Sequence, residues 1–313
     1  MGYAPSEGSV TAGLPRWLMR SAIGLPPTSF FAISAILHYL GPSLAVLLFA
    51  HVDVLGVAWL RIAAAAAVFA CWRRPWRLIR ALTWPQRRIL LALGAVLAAM
   101  NTFFYLAVDR IPLATVGAVE FLGIIVLAAL GARTKRNVLA LALAVAGVAA
   151  LTNARIAGEP LGFVFAFANC AGFVLYVILG HRIANAAADS GAERQEASGI
   201  DQLGVAMLIA AVVVTPFGFV GAAPALLHPA WLLWGIGVGL CSSVIPYVAD
   251  QLAMARLPRA TFALMLALLP VTATVIGVIV LGQVPGAREV TGIVGVAAGV
   301  ALHQERAATG PAS

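Results

Sequence analysis

Ten times along the chain, at about 28–50, 54–72, 88–108, 111–131, 137–153, 161–182, 200–219, 231–254, 259–282 and 287–303, the sequence runs almost without charge for close to the width of a lipid hydrocarbon layer. A helix crossing that ~30 Å layer needs about 20 apolar residues, and Pro, Gly or Arg separates one run from the next. No soluble architecture hides this much apolar surface in 313 residues: 62% are hydrophobic, only 10% are charged, and the mean hydropathy is +0.98. A membrane β-barrel would show alternating segments of about ten residues, not solid apolar runs. The expectation is an all-α membrane protein of ten transmembrane helices.

The formal charge of +8 invites a nucleic-acid reading, and its distribution removes it. With the N-terminus inside, Arg73, Arg74, Arg77, Arg80, Arg87 and Arg88 crowd the second connection and Arg133, Lys135 and Arg136 the fourth. The opposite side receives only Arg110, Arg155 and Arg288, with Arg61 inside the second run. Cytoplasmic loops collect Lys and Arg, so the pattern predicts both termini inside. Residues 1–27, holding four prolines and no apolar core, read as a cytoplasmic tail, and 304–313 as another. Cys71, Cys170 and Cys241 fall in or beside runs with no metal-ligand spacing, as small apolar residues do.

The chain also repeats itself. "LAVDRIPLAT" at 106–115 returns as "LAMARLPRAT" at 252–261, an offset of 146 with six of ten positions identical. "GVAWLRIAA" (56–64) has an echo in "GVAMLIAA" (204–211), and "AGVAAL" (146–151) in "AGVAL" (298–302). The repeats are therefore 28–156 and 157–303, with five runs each, and an odd number inverts the second copy in the bilayer. Inverted repeats imply a site near the midplane, at the interface of the halves, opened alternately to either side. GIGVG (235–239) and GVAAG (295–299) permit close helix packing.

Glu120 stands in "GAVEFLG", nine residues from Ile111 and eleven from Gly131, hence close to the bilayer centre. An acid there costs ~2.5–3.5 kcal/mol on insertion scales, so it faces the protein interior, either carrying cargo or, protonated, tying two helices. Gly117 and Gly123 lie on the same side and leave room beside it. Arg61, in mid-run, is a counter-charge, a ligand for a substrate carboxylate or a snorkelling side chain. His38 can titrate near neutral pH. Asn101 and Tyr105 in the third run, and Tyr247 and Asp250 in the eighth, complete the candidate site, Asn101 matching Tyr247 at the 146 offset. Asp250 suits a wetted surface equally well.

The chain has one lysine, Lys135, and no GxxxxGK[ST] loop, so it encodes no ATP-driven pump. GxSxG, HExxH and Asp-rich diphosphate motifs are missing, which leaves a polytopic membrane enzyme unsupported. No metal or cofactor is expected.

"WLRIAAAAAVFACWRRPWR", "MNTFFYLAVDRIPLATVGAVEFLG" and "SVIPYVADQLAMARLPRATFALMLALLP" are similar to the corresponding stretches of the EamA-type drug/metabolite transporter superfamily, and within it to bacterial threonine/homoserine exporters. The similarity runs over roughly 28–303. It implies a ten-helix, two-repeat carrier in a bacterial inner membrane that exports small amino acids or related metabolites in exchange for protons. Such exporters tend to carry a Glu where Leu269 precedes Pro270, another where Gln283 stands, and a Pro where Ile124 stands. For an exporter of this kind the expectation from the buried charges is that Glu120 pairs with the substrate amine and Arg61 or a polar backbone end with its carboxylate. A carrier of cationic or lipophilic drugs would instead use Glu120 with Phe103, Phe104, Tyr105 and Phe121.

Overall fold

The computed structural model of the chain describes residues 27–73, 75–81, 83–131, 134–153, 159–188, 199–247, 249 and 269–302. The expected termini, the second copy of the 146-offset repeat and the Leu-Pro-Arg-Ala-Thr-Phe run lie outside the described residues. In chain order the helices are α1 (Pro27–Leu48), α2 (Val54–Arg73), the short α3 (Trp76–Ala81), α4 (Trp84–Val108), α5 (Leu113–Gly131) and α6 (Lys135–Asn153). They continue as α7 (Pro160–Ala188), α8 (Gly199–Leu227), α9 (Pro229–Gly239) with a π-helical turn Leu240–Val244, α10 (Leu269–Leu281) and α11 (Ala287–Leu302).

Local chemistry sets these boundaries. Proline, which lacks an N–H and has its φ already set, opens α1, α7 and α9. Asp53 Oδ1 accepts the Leu55 N–H at 2.9 Å and caps α2. Helix α4 starts at Trp84, four residues before the apolar run it carries, because the Thr83 N–H donates to Gln86 Oε1 at 3.0 Å and Pro85 fits the first turn. Helix α8 extends past the expected 219 to Leu227, through Pro216 and Pro224. Helix α7 runs past the expected 182 to Ala188. Gly282 at φ +64° ends α10, with the Gln283 N–H returning to the Gly277 carbonyl at 3.1 Å.

Among the described residues, five stretches are long and apolar enough to cross a membrane: Val54–Trp72, Trp84–Val108, Pro160–Leu179, Asp201–Leu227 and Pro229–Tyr247. Ala32–Leu48, Leu113–Gly123 and Leu269–Leu281 are shorter apolar helices. Large apolar side chains turn outward, Val220 and Leu227 each 79% exposed, as suits a lipid-facing surface. The interior holds two packed apolar clusters. On α2 they divide at Arg61, on α4 around Asn101 and on α9 at Ser242 and Ser243. On these three helices a polar level therefore separates two hydrophobic layers.

Helices meet across the chain: α2 packs on α8, α4 on α7, α5 on α10 and α6 on α11. Missing side chains make this approach possible. A Cβ on Gly147 would stand 2.6 Å from the Gly292 carbonyl oxygen and 2.9 Å from the Val296 nitrogen, while Gly295 and Gly299 lie against α6. Gly235 and Gly239 likewise face Leu60, Arg61 and Ala64 of α2. Both small-residue patterns thus serve packing within the chain. Gly147→Val is expected to cost ~1–3 kcal/mol of stability, since the obstructing atoms are backbone. Gly237→Ala, where an added Cβ meets nothing within 4 Å, should stay within about 0.5 kcal/mol. Thermal unfolding in detergent measures both, and equal melting of the two variants would refute the tight seam.

Candidate functional site

The side chain that most needs explanation is Glu120. Every described side chain of α5 from Leu113 to Phe121 is buried, and Glu120 is only 7% exposed. Gly123, one turn on, lets α7 come so close that an added Cβ would lie 2.8 Å from Cys170 Sγ. This approach sets Asn169 of α7, 1% exposed, beside the Glu120 carboxylate. The two are neighbours without a formed hydrogen bond: Glu120 Oε2 and both amide atoms of Asn169 have no partner.

Across the interior, Arg61 is 5% exposed and so does not snorkel to a surface. Its Nε donates to Ser243 Oγ at 2.9 Å and its Nη2 to the Ser242 carbonyl at 3.2 Å, while its guanidinium lies 5.3 Å from the centroid of the Tyr105 ring. Two of its three contacts fall on the π-helical turn of α9, a local widening that recurs at functional sites. Among the described residues no carboxylate closes an ion pair with it, but its charge reaches Glu120, His38 and Tyr105. Tyr39 of α1 and Tyr105 of α4 are fully buried, and neither hydroxyl has a formed hydrogen bond. Ser242 Oγ is also unpartnered, pressed toward Gly41 of α1.

Five buried side chains from α1, α4, α5, α7 and α9 therefore present unpartnered polar atoms to one interior region. Leaving a buried donor or acceptor unpaired costs ~1–3 kcal/mol. A fold that carries several together is arranged to receive something polar. The region holds donors (hydroxyls, an amide N–H), neutral acceptors and one carboxylate, enough to meet both ends of a zwitterion.

A cavity of about 450 Å³ lies beyond this cluster, toward the ends of α1, α4 and α10. Val46, Arg110, Ala114, Thr115, Thr274, Gly277, Gln283 and Glu289 are among its walls. It does not enclose Glu120, which lies five residues, or about 7.5 Å of helix rise, deeper than Thr115. The cavity, called the vestibule below, and the unpartnered atoms of the candidate site are thus separate regions along one helix. At the vestibule rim Gln283 Oε1 accepts the Leu113 N–H at 3.1 Å, and Arg110 pairs with Asp109 at 3.0 Å.

Of the residues singled out in the sequence, Glu120, Arg61, Tyr105 and His38 come together, His38 edge-on to Tyr39 at 5.3 Å. Asn101 is buried but gives its Nδ2–H to the Leu97 carbonyl of its own helix at 2.7 Å. Tyr247 packs against the cluster formed by α2, α4 and α8. Asp250 lies outside the described residues. Sequence reasoning missed Asn169, Tyr39, Ser242 and Ser243. Asn169 had a readable signal, an amide alone in "FVFAFANCAGFV".

The EamA-like transporter family model matches residues 160–303. The chain is similar to the threonine/homoserine exporter RhtA of Salmonella typhimurium strain LT2, 33% identical over 249 residues that cover 78% of this chain and 79% of that one. It is also similar to RhtA of Escherichia coli K12, 32% identical over 246 residues with the same coverage. A solved crystal structure superposes with a TM-score of 0.52 at 20% identity, over 88% of this chain and 96% of that one, a likeness of fold alone.

Ser243→Ala would leave the buried Arg61 Nε without its acceptor and is expected to cost ~1–3 kcal/mol, whereas Ser243→Thr keeps the hydroxyl and most of the stability. Detergent melting curves compare them. Identical losses for the two would mean that packing, not the hydrogen bond, is what Ser243 contributes.

Proposed function

The chain belongs to the EamA-like transporter family, and from that premise we propose that it exports small hydroxylated amino acids, threonine- or homoserine-like, out of the cytoplasm in exchange for protons. It is a transporter, not an enzyme. The observation that carries the substrate reading is the set of unpartnered polar atoms around Glu120. The ammonium group meets the Glu120 carboxylate. The Tyr105 and Ser242 hydroxyls, backed by Arg61, meet the substrate carboxylate, and the Asn169 amide can both donate to and accept from a hydroxyl. Charge pairing in a low-dielectric chamber offsets the loss of water from a zwitterion only when both ends are met. A lipophilic cation would leave the hydroxyls of Tyr39, Tyr105 and Ser242 as unpartnered as they are now.

The proposed frame is ten helices in two inverted repeats, residues 28–156 and 157–303, with both termini inside a bacterial inner membrane. Leaving out the short α3, each helix then has a counterpart five places on in the chain. The pairs α2 with α8, α5 with α10 and α6 with α11 join such counterparts, a pattern that a pseudo-twofold axis would generate. The family model's range, 160–303, coincides with the second repeat and supports this division. In this orientation the vestibule faces the extracytoplasmic side. Substrate loads from the cytoplasm and leaves through the vestibule, and a proton entering there neutralises Glu120 for the return.

Glu120→Gln keeps the shape and removes the charge. In proteoliposomes loaded with labelled threonine or homoserine, the variant should lose about tenfold or more of its efflux, as expected when a midplane ionisable group carries the transport cycle. Acceleration of the remaining flux by an acidic exterior should vanish. Efflux that is undiminished and still faster at acidic external pH would remove Glu120 from the mechanism.

A further inference from the structure

Three successive positions on one face of α5 tell different stories. Ala114 lines the vestibule, Gly117 lies three residues deeper, and Glu120 three deeper again, each step about 4.5 Å along the axis. Vestibule and carboxylate are therefore one short helical stretch apart, with the level of Gly117 between them. That level is closed. A Cβ on Gly117 would stand 3.0 Å from the Tyr39 hydroxyl oxygen, 3.4 Å from Tyr39 Cε1 and 3.5 Å from the Ala273 Cβ of α10. On α10, Thr274 and Gly277 line the vestibule, and Ala273 lies deeper on the same helix. On α1, Val46 lines it and Tyr39 lies seven residues, two turns, deeper on the same face. Three helices thus carry vestibule walls above and converge on the tyrosine below.

Tyr39 is also placed where its helix can bend. Pro42 inside α1 supplies no N–H for the His38 carbonyl, the Ser43 hydroxyl donates to the Tyr39 carbonyl at 2.9 Å, and Gly41 has no side chain where α1 meets Ser242. The phenolic hydroxyl is fully buried without a hydrogen bond, so no polar contact fixes the ring in this position. Glu120, whose charge reaches Tyr39, is the nearby acceptor it can turn to.

We propose that Tyr39 is the gate between the central site and the vestibule: its ring, seated on Gly117 and Ala273, closes the exit, and the break in α1 at Gly41–Pro42 lets it swing aside for substrate to leave. The assignment rests on the export reading for which side the vestibule faces, and the gate itself is a statement about geometry.

The test uses the full-length carrier in membranes, with its own three cysteines replaced by serine and one reporter added at a time. Thr115→Cys reports the vestibule and Ser242→Cys the chamber beneath Tyr39. With a membrane-impermeant maleimide outside, Thr115→Cys should label quickly whether residue 39 is Tyr or Ala. Ser242→Cys should label slowly behind Tyr39 and about tenfold or more faster behind Tyr39→Ala, the change expected when a gate is removed. Ser242→Cys labelling that is equally slow behind Tyr39 and Tyr39→Ala, with Thr115→Cys labelling normally, overturns the gate. Thr115→Cys labelling only from the cytoplasmic side overturns the orientation, and with it the assignment of this gate to the exit. A second pair works without the Tyr39→Ala truncation. Gly117→Ala puts a methyl against the hydroxyl and should slow efflux several-fold, and adding Tyr39→Phe should restore most of it, since the atom in the way is gone. Failure of Tyr39→Phe to rescue Gly117→Ala refutes the contact as the moving part, whereas loss of transport in Glu120→Gln with normal gating by labelling bears on the site and not on the gate.

Discussion

Hydrocarbon offers no hydrogen bonds, and that single fact organises the molecule. Backbone groups at membrane depth must be satisfied within their own segment, which leaves helices as the form such runs take. The same rule applies to side chains, and most here obey it: Asn101 turns to its own helix, Thr215 accepts from Trp59 Nε1 and also donates to the Ala211 carbonyl, and Arg61 spends two of its nitrogens on α9. Against that background the unpartnered atoms of Glu120, Asn169, Tyr39, Tyr105 and Ser242 stand out as a departure maintained at one place. Stability alone gives no reason to collect them. A ligand does.

Two buried carboxylates behave differently. Glu289 is 8% exposed, nearly as buried as Glu120, yet its Oε2 accepts the Gly286 N–H at 2.9 Å and closes the turn into α11. Its carboxylate holds a turn in place. Glu120 Oε2 holds nothing. Burial cannot separate these roles, and the partner of each oxygen can.

The charged members of the candidate site were legible in the sequence because a formal charge within an apolar run has few innocent explanations. Glu120 and Arg61 announced themselves, and the runs announced an all-helical membrane protein. Neutral polar residues gave weaker signals. Tyr39 and Ser242 are compatible with any membrane helix, and only packing reveals that their hydroxyls lack partners. Asn101 and Asn169 look alike in sequence, each an amide in an apolar stretch. They differ because Asn101 lies within reach of the Leu97 carbonyl one turn back, while Asn169 faces Glu120 across the narrow gap that Gly123 allows. The π-helical turn that receives Arg61 had no sequence signature either, since its extra residue is absorbed by tertiary contacts with α1 and α2.

Stiff and loose parts of the interior are sorted in space, and the sorting suits the proposed frame of two halves. The α6–α11 seam is backbone against backbone at Gly147, Gly292 and Gly295, and α2 and α8 meet the same way at Gly56 and Gly221. Close-packed seams transmit displacement without deforming, because dense interiors have discrete arrangements and little compliance. The region between them holds the unpaired polar atoms, whose partners can be exchanged at little cost because few are committed. At the vestibule, by contrast, the Leu113 N–H donates to Gln283 Oε1 across the proposed halves. Gln283 accepts there as a neutral amide, where a carboxylate would draw added strength from the helix N-terminus. A tie that must be made and broken in every cycle is better weak. On the export reading, the neutral side chain at 283 keeps the exit loosely closed, and Glu120 is the acid whose charge changes as cargo and proton trade places.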